Sequence, residues 1–181
     1  MSRLQVNGID VKSLMKVVEN TNDDETDPTA EFGVRTTWRG QTSAESVTTH
    51  LRVGAERIPR HFRVHTDVPV PLCGNDSCAT PQELLLSALN ACLTVGYAAG
   101  AALRGIEIEE LEIETVGELD LRGYFDMDES VDPGFQKLDC RVKLRADTST
   151  QRIRNLHAAV LRTSPNLFNL TRAVRIRPEL G

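Results

Sequence analysis

LLLSALNACLTVGYAAGAAL, residues 84–103, carries no charged side chain, and the rest of the chain is organised around it. It is bracketed like a helix. Thr80-Pro81-Gln82-Glu83 offers a capping threonine, a proline suited to the first helical position and a glutamate three residues after the cap. Arg104-Gly105 offers a cation at the negative helix end and a glycine for the left-handed cap. A run of this length can cross a bilayer, but Ser87, Asn90, Thr94, Gly96 and Gly100 interrupt it, and no basic cluster or aromatic belt flanks it. The pattern therefore predicts a buried core helix. At about 100° per residue, Glu83, Ser87, Asn90 and Thr94 fall on one stripe. Cys92 falls on the opposite, apolar side with Ala88, Leu89, Val95 and Gly96.

The 181 residues suit a single domain, 1–181, with an N-terminal helix and acidic loop up to residue 30 and a core from residue 31. Aromatic residues make only 4 %, so the core is expected to be mostly aliphatic. A net charge of −5 argues against nucleic acid or an anionic membrane as a partner, since both need a basic footprint. The opening MSRLQVNGID lacks the pattern of a signal peptide, so the expected location is cytoplasmic. The four cysteines, at 73, 78, 92 and 140, are too few and too unevenly spaced for a disulfide scaffold.

Outward from the central run, DVKSLMKVVEN (10–20) predicts a short amphipathic helix capped by Asp10, and TNDDETDPT (21–29) a solvated acidic loop. Alternation predicts strands from Glu31 to about Gly40, from Ser46 to Val53 and from His61 to Thr66, arranged as an antiparallel meander. VPVPLCGNDSCAT (68–80) is a loop feeding the central helix. After Gly105 a long strand is expected over Glu107–Leu121, then a loop, and a strand over Phe135–Arg145. In that strand Leu138, Cys140, Val142 and Leu144 share a parity, which makes Cys140 a small apolar residue of the sheet core. A helix from Ser149 to Thr163 stops at Ser164-Pro165, and a last strand covers Ala173–Arg177. Segregated helices and hairpin-linked strands mean an α+β fold.

Several chemistries can be weighed. His61, His65, Cys73 and Cys78 lie close enough in sequence to suggest zinc, but two histidines four apart on a strand stand about 13 Å apart. No Gly-x-Ser-x-Gly elbow occurs, His157 sits on an amphipathic helix, and both phosphate-binding glycine patterns are absent. No metal and no cofactor are expected. Cys92, taken alone, reads as an inert packed thiol; a second redox group and a nearby cation would change that.

Thr80-Pro81-Gln82-Glu83-Leu84-Leu85, followed by Ala88-Leu89-Asn90-Ala91-Cys92-Leu93-Thr94, resembles the central-helix signature of the OsmC/Ohr peroxide-reductase family. Arg104-Gly105-Ile106, Gly117 to Gly123, Pro133-Gly134-Phe135-Gln136 and Ser164-Pro165 extend the likeness, and Asn7-Gly8-Ile9-Asp10 and Trp38 resemble one branch of it. The resemblance implies an interlocked homodimer with antiparallel sheets around a buried central helix. It also implies a thiol peroxidase acting on organic hydroperoxides in oxidative-stress defence, with Cys92 as the attacking thiolate and an external thiol or dithiol as reductant. An arginine that favours the thiolate is implied as well, with Arg39 the first candidate and Arg35 the next. Gln82 stands where the family has the glutamate that orients this arginine, with Glu83 one position on. Ser164 stands where it has the second, resolving cysteine. Cys78, in the loop before the helix, is the alternative resolving thiol. The competing expectation, favoured by Gln82 and Ser164, is a dimer without catalysis that binds a small hydrophobic ligand.

Overall fold

The computed structural model describes residues 5–21 and 27–181, so most of the predicted acidic loop (22–26) lies outside the described residues. In chain order the elements are β1 (Gln5–Val6), β2 (Ile9–Asp10), α1 (Val11–Thr21), β3 (Ala30–Gly40), β4 (Ser43–Val53), β5 (Glu56–Ile58), β6 (Arg63–Thr66), α2 (Pro81–Ala102), β7 (Ile108–Glu118), α3 (Leu121–Tyr124), β8 (Lys137–Ala146), α4 (Thr150–Thr163) and α5 (Pro165–Thr171). Their contacts divide the chain into two compact units, one of residues 5–9 and 86–181, the other Asp10–Leu85; the division falls inside α2.

In the unit Asp10–Leu85, β3 and β4 form a long antiparallel ladder from Ala30↔Val53 to Gly40↔Ser43, and the other edge of β4 pairs with both β5 and β6. The expected three strands are present; β5, only three residues long, carries too little pattern to be read from sequence. Phe32 and Trp38 are 76 % and 72 % exposed, so the sheet leaves large apolar side chains uncovered by its own chain.

The loop after β6 is organised by Asp67, which is fully buried. Its carboxylate accepts five hydrogen bonds, from Thr42 Oγ1 at 2.7 Å, Val68 N at 2.9 Å, Asn75 N at 3.1 Å, and Ser77 N and Oγ at 3.3 and 2.8 Å. Donors converging on one anion, with the Thr42 and Ser77 hydroxyls foremost, hold its pKa far below the ordinary carboxylate range. A depressed folded-state pKa contributes stability above the unfolded-state value, near 4, and loses it as pH falls. Thermal melts should therefore show a lower Tm below about pH 4, and Asp67→Asn, whose amide brings donors to a site already full of donors, should reduce that acid dependence by the share Asp67 contributes and lower Tm by several degrees at neutral pH. An Asp67→Asn protein that melts like wild type at pH 7 would contradict the assigned role.

The helix brackets behave as the sequence reading expects. Thr80 N donates to Glu83 Oε2 at 2.7 Å while Glu83 N donates to Thr80 Oγ1 at 3.1 Å, the reciprocal pair of a capping box. At the other end Gly105 has φ 60°, and Ile106 N reaches back to Ala101 O at 2.9 Å.

In the other unit, Leu89, Leu93, Tyr97, Ala101, Ile106, Leu156 and Val160 form the buried core, with β7 and β8 residues such as Ile113 and Val142 packed against it. The core face of α2 is thus the i, i+4 stripe Leu89–Leu93–Tyr97–Ala101, and Val95, assigned to the core side from angular position, is 67 % exposed. The predicted polar stripe also differs. Asn90 faces β7, donating to Ile113 O at 3.2 Å and accepting from Thr115 Oγ1 at 2.6 Å. Helix α2 is long and apolar enough to cross a membrane by length and composition, yet this stripe is that of a helix packed in a protein core.

Helix α4 runs antiparallel to α2 with contacts that advance four residues at a time. Cys92 meets Ser164, Gly96 faces Val160, Gly100 faces Leu156, and Arg104 O accepts from Arg152 Nη2 at 2.5 Å. The small residues Cys92, Gly96 and Gly100 clear one side of α2 for these partners. A Cβ at Gly100 would lie 2.9 Å from Leu156 Cδ1, and one at Gly96 3.1 Å from Val160 Cγ1.

Three expectations are corrected. The strand begun near Glu107 stops at Glu118, because Asp120 caps α3 by accepting from Arg122 N at 2.9 Å, so Leu121 is helical. Residues 173–177 form no ladder among the described residues, since no strand lies alongside to pair with them. Cys140 shares the predicted parity but is exposed, because it lies at a cavity mouth rather than under the core.

Candidate functional site

Cys92 sits on the side of α2 that faces the end of α4. Its Sγ is 3.3 Å from Ser164 Oγ, although the two residues are 72 positions apart in sequence. Ser164 is buried at 5 % exposure and occupies a junction fixed from both sides. It ends α4, with its N–H donating to Val160 O at 3.0 Å, and caps α5, with its Oγ accepting from Leu167 N at 3.3 Å. Pro165 forces the break between the two helices. Asn166 Nδ2 then donates to Ala88 O at 2.8 Å and ties the junction to α2 one turn before Cys92. Ser164 Oγ accepts from Leu167 N, and either side chain can donate in its contact with Cys92; once Cys92 is a thiolate, only the Ser164 hydroxyl can. A half-buried thiol thus faces a hydroxyl donor in a place where two helix ends, a cap and an amide clamp leave little freedom.

The other candidates belong to the unit Asp10–Leu85 and are described within it. Arg39, near the end of β3, donates from Nη2 to Glu45 Oε1 at 3.1 Å, and Arg63 donates to the same oxygen at 2.8 Å. Glu45 is only 13 % exposed, and these two cations, Arg39 first, hold its pKa low. Arg35 is an exposed residue of β3. Gln82 is half-buried in the first turn of α2. Glu83 is committed to the helix start: Thr80 N and Thr80 Oγ1, at 2.7 and 2.9 Å, both donate to its Oε2 and lower its pKa. Cys73, in the left-handed conformation at φ 65°, and Cys78 lie in the loop built on Asp67, and all four cysteines are free thiols.

A model of the OsmC-like protein family matches residues 74–179, more than half of the sequence and all of the Cys92–Ser164 arrangement. The chain belongs to the OsmC-like family. Solved structures agree on the fold. An OsmC-like protein from Mycoplasma pneumoniae superposes with a TM-score of 0.63 at 15 % identity, covering 79 % of this chain and 89 % of its own. A protein from Psychrobacter arcticus described as an osmotic stress induced and detoxification response protein gives 0.57 at 15 % identity over 75 % and 85 %. An organic hydroperoxide resistance protein OsmC from Legionella pneumophila gives 0.53 at 16 % identity over 79 % and 90 %. Among curated proteins no relative matches significantly. The α+β class read from sequence, with antiparallel sheets and a long helix, is therefore the OsmC fold, and family membership suggests a role in redox or peroxide defence.

One group of this OsmC-like chain escaped the sequence reading. Tyr97 Oη and His157 Nδ1 are hydrogen bonded across α2 and α4. Tyr97 is the single aromatic residue in the uncharged run, which was the available signal. His157 is exposed on α4, in keeping with a surface or interface histidine; its bond to Tyr97 is what the helix pattern does not reveal.

Proposed function

We propose that this protein is a thiol peroxidase that reduces organic hydroperoxides at Cys92 and works as a homodimer. The observation that carries the reading is the 3.3 Å approach of Ser164 Oγ to Cys92 Sγ. It puts a hydrogen-bond donor against the sulfur on which negative charge must rest before attack and on which the oxygen is afterwards held.

The Cys92 thiolate attacks the distal oxygen of ROOH, an S–O bond forms as the O–O bond breaks, and the alkoxide takes a proton and leaves as an alcohol. Cys92 is left as a sulfenic acid. The side chain opposite it is a hydroxyl, so no disulfide can close at Ser164, and an external thiol reduces the sulfenic acid. One thiol forms a mixed disulfide and water, and a second releases Cys92 and a disulfide of the reductant. Arg39 is the activating cation of this reading. Glu45, which holds it, takes the orienting part for which Gln82 has no charge.

The homodimer reading is supported by the apolar surface that one chain leaves open. Leu85 and Val95 on α2 and Phe32 and Trp38 on β3 are all exposed, large apolar side chains that a second chain could cover. Light scattering should give the mass of two chains.

Cumene hydroperoxide consumption with excess dithiothreitol tests the function. Cys92→Ser should lower the rate on the order of 10³-fold, and Arg39→Gln by roughly 10–100-fold with the fold retained. A Cys92→Ser protein that consumes peroxide like wild type would overturn the proposal. Wild type without turnover and with a co-purifying apolar molecule would favour the binding protein instead.

A further inference from the structure

A cavity of about 310 Å³ opens between β8 and α4, at the small end of the range for ligand pockets. It lies in the same unit as Cys92 but elsewhere: His157 is seven residues before Ser164 on α4, about 10 Å along the helix axis. Its wall is aliphatic, formed by Val142, Leu144 and Ile153. Its polar end holds Tyr97, His157 and Arg154, and the Cys140 thiol stands at its mouth. Ile153, Arg154 and His157 share one face of α4 by their i, i+3 and i, i+4 spacing.

The polar end is set up to donate. Burial, and secondly the nearby Cys140, push the Tyr97 phenol up to about 12, so it keeps its proton at neutral pH. With the phenol donating to His157 Nδ1, the imidazole proton sits on Nε2 and gives the cavity a second donor. Arg154 makes no hydrogen bond or ion pair among the described residues. A cation without a counter-charge and an imidazole N–H thus stand at one end of an aliphatic slot, an arrangement that suits a carboxylate carrying a short hydrocarbon tail.

We propose that this cavity binds a small amphiphilic carboxylate, with the acid group on Arg154 and His157 and the chain against Val142, Leu144 and Ile153. The site is separate from the peroxide chemistry at Cys92 and does not depend on it. Cys140 supplies a local readout, since an occupant screens its thiol.

The experiment is iodoacetamide modification of the full-length protein, followed residue by residue by mass spectrometry, with octanoate as the probe and octanol as its neutral counterpart. Octanoate should slow Cys140 modification in a saturable way while leaving Cys73 unaffected, and octanol should protect far less. Arg154→Gln should raise the octanoate concentration for half-protection roughly tenfold, the loss expected for one charge-assisted contact. Its rate of peroxide consumption should remain that of wild type. Cys92→Ser should protect Cys140 as wild type does. Unchanged Cys140 reactivity at saturating octanoate, equal protection by octanol, or protection that survives Arg154→Gln would each overturn the proposal. So would a Cys140 that resists iodoacetamide in the ligand-free protein while Cys73 reacts, since the cavity would then be closed.

Discussion

Ser164→Cys is expected to close a disulfide between Cys92 and the introduced thiol after one equivalent of organic hydroperoxide. The wild-type Sγ to Oγ hydrogen bond of 3.3 Å brings the two side chains close enough that, with sulfur in place of the hydroxyl, small side-chain rotations can close a bond of about 2.05 Å. The Cys92 sulfenic acid would be attacked by the neighbouring thiol, losing water, before a second peroxide could reach it. Intact-mass measurement should show the variant 2 Da lighter than its reduced form, and over-oxidation of Cys92 to the sulfinic acid should fall roughly tenfold or more relative to wild type. Wild type should instead accumulate sulfenic and then sulfinic Cys92. A variant that over-oxidises as fast as wild type would mean that the two side chains do not meet in solution. A Cys78–Cys92 disulfide in wild type would move the resolving role to the loop built on Asp67.

Gly100→Val is expected to destabilise the packing of α2 against α4. Its Cβ would fall 2.9 Å from Leu156 Cδ1, and Leu156 is fully buried, so the contact cannot be relieved outward. Overpacking of this kind costs about 1–3 kcal/mol, more than the few tenths gained from replacing a helical glycine. The strain has a functional side, because Ser164 caps the end of the helix that carries Leu156, and displacing α4 moves the hydroxyl away from Cys92. Urea unfolding should show the lower midpoint with an unchanged slope. Gly134→Ala, where a Cβ would meet nothing within 4 Å, is the comparison and should be neutral or stabilising by up to about 1 kcal/mol. Equal midpoints for the two variants would show that α2 and α4 do not pack as closely as described.

The chain's local signals were the legible ones. Thr80 and Glu83, Arg104-Gly105, Ser149 and Ser164-Pro165 mark helix ends through interactions within a few residues, so α2 and α4 could be placed almost to the residue. What required partners distant in sequence was not legible. The stripe of α2 that is buried depends on α4 approaching along Cys92, Gly96 and Gly100, and angular position alone placed Val95 on the wrong side. Residues 173–177 have strand-like alternation but no ladder partner among the described residues. The role of Asp67 leaves no local signal, since the five donors that make it a hub come from residues 42 to 77.

The candidate site shows the same division. Spacing alone left Cys92 an ordinary packed thiol. Only the resemblance of the surrounding motifs singled out Ser164, and the fold then brought it to the sulfur. Gln82 and Glu83 were legible as a helix start, and Glu83 proves to be spent on the cap. That Arg39 is held by Glu45 could not be read, because the pair spans the turn between β3 and β4.

The most direct test of the central claim is the chemical state of Cys92 after a stoichiometric pulse of cumene hydroperoxide in the presence of dimedone, read by peptide mass spectrometry. A dimedone adduct at Cys92 is expected in most molecules, with Cys73, Cys78 and Cys140 unmodified. An unmodified Cys92, or adducts spread over the exposed thiols Cys73 and Cys140 in its place, would contradict it.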